Sequence, residues 1–102
     1  MKMFFVMYEN YDECNLATDE SFNDVKVAEA HAANVHPMYK AFVVSTDKKD
    51  YVENGKCFVL FTTHDGKIEN VRRKEFDSWE LAENHANGVN KEHKAFAVGK
   101  IN

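Results

Sequence analysis

The sequence predicts an α+β fold made of two tandem β-β-α-β units. The expected architecture is a mainly antiparallel sheet of about six strands, two helices on one face, and a pseudo-twofold relation between the halves. Two observations predict it. Residues 1–48 align without a gap to residues 55–102 at a constant offset of 54, giving 12 identities in 48 pairs. Within each half the hydrophobic pattern runs from a continuous apolar stretch to a helical stripe and back to a short apolar stretch. Residues 49–54 read as a linker joining a first unit at 1–48 to a second at 55–102. A unit of 48 residues would be marginal alone, so the two are expected to share one core.

Each unit opens on an apolar strand, Phe4-Phe5-Val6-Met7-Tyr8 in the first and Phe58-Val59-Leu60-Phe61 in the second. Continuous apolarity predicts central strands. A turn follows. Asp65-Gly66 is a strong hairpin signal, because type I′ turns need φ > 0 at both central positions. The first unit has Asn10-Tyr11-Asp12-Glu13 there, which predicts a looser hairpin. The second strands, residues 14–21 and 68–75, are polar, as suits sheet edges where charge discourages aggregation.

Helices come next. Asp77-Ser78-Trp79-Glu80 reads as a capping box with Asp77 as cap, and Asn23 is the cap expected in the first unit. Phe76 with Leu81, and Phe22 with Val27, stand at hydrophobic-staple spacing. The stripes Ala28, His31, Ala32, Val35 and Ala82, His85, Ala86, Val89 have helical period, and their alanines let each helix lie close to the sheet. Asn34 and Gly88 read as helix stops in the left-handed conformation. Last strands at residues 39–45 and 93–99 carry the shared Lys-Ala-Phe-x-Val pattern. A crossover through the helix places each last strand parallel to the second strand, with the first strand between them.

Composition bounds function. The net charge of −4 is a poor match to a phosphate backbone, so nucleic acid is an unfavoured partner. Only Cys14 and Cys57 are present, without metal-type or redox spacing, and they read as two reduced thiols. The apolar start ends at Tyr8, Glu9 and Asn10, too early for a signal peptide, and no stretch approaches a membrane span. A cytoplasmic setting without membrane contact is expected.

No catalytic, metal or phosphate motif stands out. His31 and His85 occupy matched places, and two histidines brought together would make half a metal site; the plainer reading is that each hydrogen-bonds a backbone carbonyl. His36, His64 and His93 have no matched partner and are expected at the surface. Thr62, Thr63, His64 and Asp65 cluster as a turn does, not as a triad does. No cofactor and no catalysis are expected.

The halves differ most in charge. Residues 3–25 hold Glu9, Asp12, Glu13, Asp19, Glu20 and Asp24 with no Lys or Arg. The second unit places Arg72, Arg73 and Lys74 opposite Thr18, Asp19 and Glu20. The leading expectation is therefore a non-catalytic protein-binding module, an inhibitor or adaptor, that recruits its partner through charged edge strands by steering and strand addition. Self-association, acidic edge to basic edge, follows from the same pattern. In its shortness and its richness in Asn, Lys and Glu the chain resembles small accessory proteins of tailed phages, which implies inhibition of a host protein. Two alternatives stand beside it. One is a small, nucleotide-like ligand in a groove between the units, with Trp79, Tyr39 and Tyr51 as stacking surfaces; the plainer role of Trp79 is core filling. The other is nucleic-acid binding through Arg72, Arg73 and Lys74.

Overall fold

The computed structural model describes residues 2–35, 37–90 and 94–101. The last strand of the second unit is described from Lys94, and the expected surface positions of His36 and His93 lie outside the described residues. The element order is β1 (Phe4–Asn10), β2 (Glu13–Leu16), α1 (Val25–Ala33), β3 (Lys40–Ser45), a short 3-10 turn (Lys48–Asp50), β4 (Cys57–Thr62), β5 (Ile68–Asn70), α2 (Trp79–Val89) and β6 (Lys94–Lys100). The fold is α+β. One six-stranded sheet has the order β2-β1-β3-β6-β4-β5, with every neighbouring pair antiparallel. As expected, β1 lies between β2 and β3, and β4 between β5 and β6.

Strand alternation sorts the apolar side chains into two sets. Phe4, Val6 and Val43 face α1 and pack with Phe22 and Ala28. Cys57, Val59, Ala95 and Ala97 face α2 and pack with Phe76, Trp79, Ala82 and Ala86. Ser45 pairs with Gly99 where β3 meets β6, which puts both helix-bearing faces on the same side of the sheet. The other face carries Phe5, Met7, Val44, Phe58, Leu60 and Val98. Among the described residues no helix covers that face, yet all six residues are at most 1% exposed.

Curling of the sheet explains this burial. The outer strands β2 and β5 meet. The Cys14 amide donates to the Arg73 carbonyl at 2.8 Å, and the Asn70 side-chain amide donates to the Cys14 carbonyl at 3.2 Å. The face without helices thereby becomes the inside of a barrel. Rings from strands that are not neighbours meet there: Phe5 with Phe96 at 5.7 Å and Phe42 with Phe58 at 5.9 Å between centroids.

Several local expectations are corrected. Phe4 and Phe58, matched at an offset of 54, face opposite sides of the sheet. Phe4 corresponds instead to Cys57, an offset of 53; each bridges a buried Phe, Phe22 or Phe76. Later residues keep the offset of 54: Ala28 and Ala82 are both buried under a helix, and Val44 and Val98 both point inside. The one-residue difference is taken up in the hairpins. Asn10 pairs with Glu13 and leaves a two-residue loop, tighter than expected, with Tyr11 at φ 59°. In the second hairpin Thr63 donates to Lys67 and Gly66 donates to Thr63, leaving a three-residue loop. Only Gly66 has positive φ there (84°), so the turn is not type I′.

The second strands stop at Leu16 and Asn70, so Arg72, Arg73 and Lys74 lie in the loop beyond β5 and not on a strand. Both helix caps fall one residue later than expected. Asp24 accepts from the Lys26 amide at 2.8 Å, and Ser78 accepts from the Leu81 amide at 3.2 Å. The cause is the bridge of Phe22 and Phe76 to the sheet, which keeps the chain extended beyond each Phe. Val27 and Leu81 are thereby rotated out of staple position and are 53% and 52% exposed. Asn34 ends α1 in the right-handed region, while Gly88 lies inside α2, which Asn90 caps. The Asn90 side chain also accepts from the Ala95 amide at 2.6 Å and so ties the helix end to β6.

The expected linker is integrated into the fold. Asp50 accepts from the buried Ser45 hydroxyl at 2.8 Å and pairs with Lys2 at 3.3 Å. Tyr51 packs against Trp79, with ring centroids 5.6 Å apart.

Candidate functional site

The charged residues singled out from the sequence fall into two groups. Arg72, Arg73 and Lys74 line up beside β2, where the acidic hairpin lies. Arg73 pairs with Glu13 at 3.2 Å. Arg72 lays its guanidinium over the Phe76 ring at 3.8 Å and donates to the Lys74 and Glu75 carbonyls at 3.2 and 2.9 Å. Part of the contrast in sign acts within the molecule: Arg73, in the loop beyond β5, meets Glu13 of β2. Lys74 is exposed and lines a shallow hollow with Tyr11, Asp12 and Glu13.

Asp19 and Glu20 form the second group. Both are exposed, in the segment between β2 and the Phe22 bridge. The Glu20 amide donates to the Thr18 hydroxyl at 3.2 Å, fixing a local turn. Asp12, Glu13 and Asp24 are exposed as well, so the segment from 12 to 24 carries five exposed carboxylates, of which Glu13 is paired with Arg73. Tyr11 stands at the tip of the β1–β2 hairpin beside Asp12, 92% exposed and in the left-handed region at φ 59°. Nothing singled it out in the sequence beyond a bulky residue at a turn position that favours Gly or Asn. A strained, exposed aromatic at a hairpin tip is the kind of outlier found at contact sites.

Searches of protein families, curated proteins and solved structures find no match for this chain.

The remaining candidates are structural. Trp79 is 5% exposed, donates to Glu83 at 3.4 Å and fills the space under α2. Tyr51 joins it, but Tyr39 sits elsewhere, against Tyr8 at 4.9 Å, so the three rings form no common groove. His31 and His85 make ring contacts, not carbonyl caps. His31 packs on Phe22 at 5.4 Å and His85 on Phe76 at 5.1 Å, each within its own unit. Among the described residues no three His, Cys, Asp or Glu side chains group as metal ligands. Thr63 is hydrogen-bonded to Asp65 and to the Lys67 backbone, which makes the Thr-His-Asp stretch the frame of a turn.

Both thiols are buried and free, and burial pushes each above the ordinary cysteine value. A raised thiol is a poor nucleophile at neutral pH. Hydrogen bonding with Cys57, followed by burial, pushes the Tyr51 hydroxyl up to about 12. Among the described residues no helix is long and apolar enough to cross a membrane.

One ion cluster was not visible in the sequence. Lys56, just before β4, reaches Glu9 at the end of β1 at 2.7 Å and Glu75 at 3.4 Å. The hydrogen bond from Lys56 holds Glu9 below its ordinary value, and burial opposes it only in part. Burial pulls Lys56 down, but the Glu9 hydrogen bond and nearby negative charge more than reverse this, and it is raised. The pair's side chains are 31% and 27% exposed, so it is screened less than a surface pair. Lys56→Met is expected to cost about 1 kcal/mol at pH 7. A lowered Glu9 contributes stability above its unfolded value that is lost as pH falls through the folded one. Urea unfolding should therefore separate wild type and variant at pH 7 and bring them together at about pH 2.

Proposed function

We propose that the protein is a non-catalytic protein-binding module, of inhibitor or adaptor type, that offers an acidic surface to a basic partner. The observation that carries this reading is the set of exposed carboxylates at Asp12, Asp19, Glu20 and Asp24, with no Lys or Arg between residues 3 and 25; Glu13 among them is paired with Arg73. The exposed Tyr11 ring, in the hairpin beside Asp12, adds the kind of anchor that dominates protein interfaces. Because the edge strands meet each other, partner contact is assigned to side chains and not to strand addition. Raised thiols and the turn role of Thr63 and Asp65 speak against nucleophilic catalysis.

Nucleic-acid binding through Arg72, Arg73 and Lys74 draws less support. Arg72 and Arg73 are engaged by the molecule's own carbonyls and Glu13. Head-to-tail self-pairing is weakened by the same contacts. We also read the two β-β-α-β units as copies of one ancestral unit, supported by their shared connectivity and by matched burial at Ala28 and Ala82. Two free thiols suit a reducing, cytoplasmic setting.

Affinity capture from nuclease-treated lysate tests the proposal. The native chain is expected to retain a basic protein in stoichiometric amount. Asp19→Lys with Glu20→Lys, and separately Tyr11→Ala, should each lower its recovery at least tenfold, with the charge effect shrinking as salt rises. Equal recovery by all three proteins would contradict the acidic-surface reading.

A further inference from the structure

Beside α1, on the helix-bearing face, Tyr8, Ala17, His31, Asn34, Val35 and Tyr39 line a cleft of about 350 Å³. That volume is at the small end of ligand sites. Its walls are largely aromatic: Tyr8 and Tyr39 pack at 4.9 Å, and the His31 ring is held from behind by Phe22 at 5.4 Å. Asn34 commits its amide nitrogen to the Ala30 carbonyl at 3.1 Å, which orients its side-chain oxygen as an acceptor. Among the described residues no Lys, Arg, Asp or Glu lines the cleft.

The corresponding place beside α2 is constructed differently. Phe61 stands where Tyr8 does, and Val71 where Ala17 does; both pack, with Val89, onto the apolar cluster under α2. Among the described residues three changes separate the sites, and the place of Tyr39 falls on His93, outside them. Gly88 stands where Asn34 does. A larger side chain replaces Ala17, and a phenyl ring replaces a phenol. Beside α2, Phe61, Val71 and Val89 pack as hydrocarbon, while the cleft beside α1 is open and carries hydroxyl and amide groups next to its imidazole.

We propose that the cleft beside α1 binds a small, uncharged, planar aromatic molecule, stacked on Tyr8 and Tyr39 and hydrogen-bonded to His31 and Asn34. The absence of lining charges disfavours an anion or a cation, whose desolvation would go uncompensated. The flat rings favour a heterocycle of one or two rings over an aliphatic ligand of equal volume. This site is separate from the acidic surface, and the two stand or fall independently.

The test is a titration of the ¹⁵N-labelled full chain with indole and with benzimidazole, using cyclohexanol as a non-planar control. Saturable amide shifts at Ala17, His31, Asn34 and Val35 with the heterocycles, and much weaker ones with cyclohexanol, are expected. Ala17→Val, which installs the side chain of the other unit, should weaken binding at least tenfold while leaving the remaining amide spectrum in place. Tyr39→Leu keeps bulk, removes the ring, and should have the same effect; it decides the matter if Ala17→Val does not fold. Shifts centred elsewhere, no saturable shift at millimolar concentration, or unchanged binding in the folded variant would overturn the proposal.

Discussion

Phe58→Ala is expected to destabilise the protein by about 3–5 kcal/mol, a large share of the about 5–15 kcal/mol that holds a domain folded. Phe58 is 1% exposed and stacks on Phe42 inside the barrel, where no loop can collapse into the space it leaves. A sheet open on that side would let water or a neighbouring side chain fill the gap, and the cost would be about 1 kcal/mol. Val27→Ala and Leu81→Ala supply the contrast. Their sequence spacing gives them a staple role, but both residues point into solvent, and each change is expected to stay within about 0.5 kcal/mol. Urea denaturation of the three variants measures this difference directly.

Gly99→Ala carries the second large effect. A Cβ at position 99 would lie 2.5 Å from the Tyr51 ring and 2.9 Å from the Trp79 ring. Both rings are hemmed in, Trp79 under α2 and Tyr51 by its bond to the Gly55 carbonyl at 2.9 Å. Overpacking of this kind costs about 1–3 kcal/mol. The penalty should shrink in a Tyr51→Ala background, because that ring is the nearer obstacle. Trp79 fluorescence, followed through thermal unfolding, reports both the loss of stability and any displacement of the indole.

Much of the architecture was legible because hydrophobic period and internal similarity point the same way. Ala28 and Ala82 mark the buried helix faces, and Val44 and Val98 mark the inward faces of β3 and β6. What misled was register. In a strand a one-residue slip moves every side chain to the other face. A gapless alignment therefore paired Phe4 with Phe58, although the hairpins differ by a residue. The helix caps slipped for a related reason: the bridges made by Phe22 and Phe76 are tertiary contacts, and no local pattern announces them.

The candidate site was legible in part. The acidic run from Asp12 to Asp24 is exposed as its composition implied. The basic residues were read as a free surface, whereas Arg73 pairs with Glu13 and Arg72 covers Phe76. That outcome depends on closure of the sheet, which brings together residues about 60 positions apart. Neither Glu9 nor Lys56 carried a local signal, since their contact also spans the barrel.

The proposed docking through side chains rests on closure of the sheet, and the Cys14 amide reports that closure most directly. That N–H donates to Arg73 across the join between β2 and β5. Native-state hydrogen exchange should find it protected to a degree comparable with amides inside β1 and β4. Exchange at the rate of an exposed edge would mean that the sheet is open, and would return strand addition to the proposed mode of partner binding.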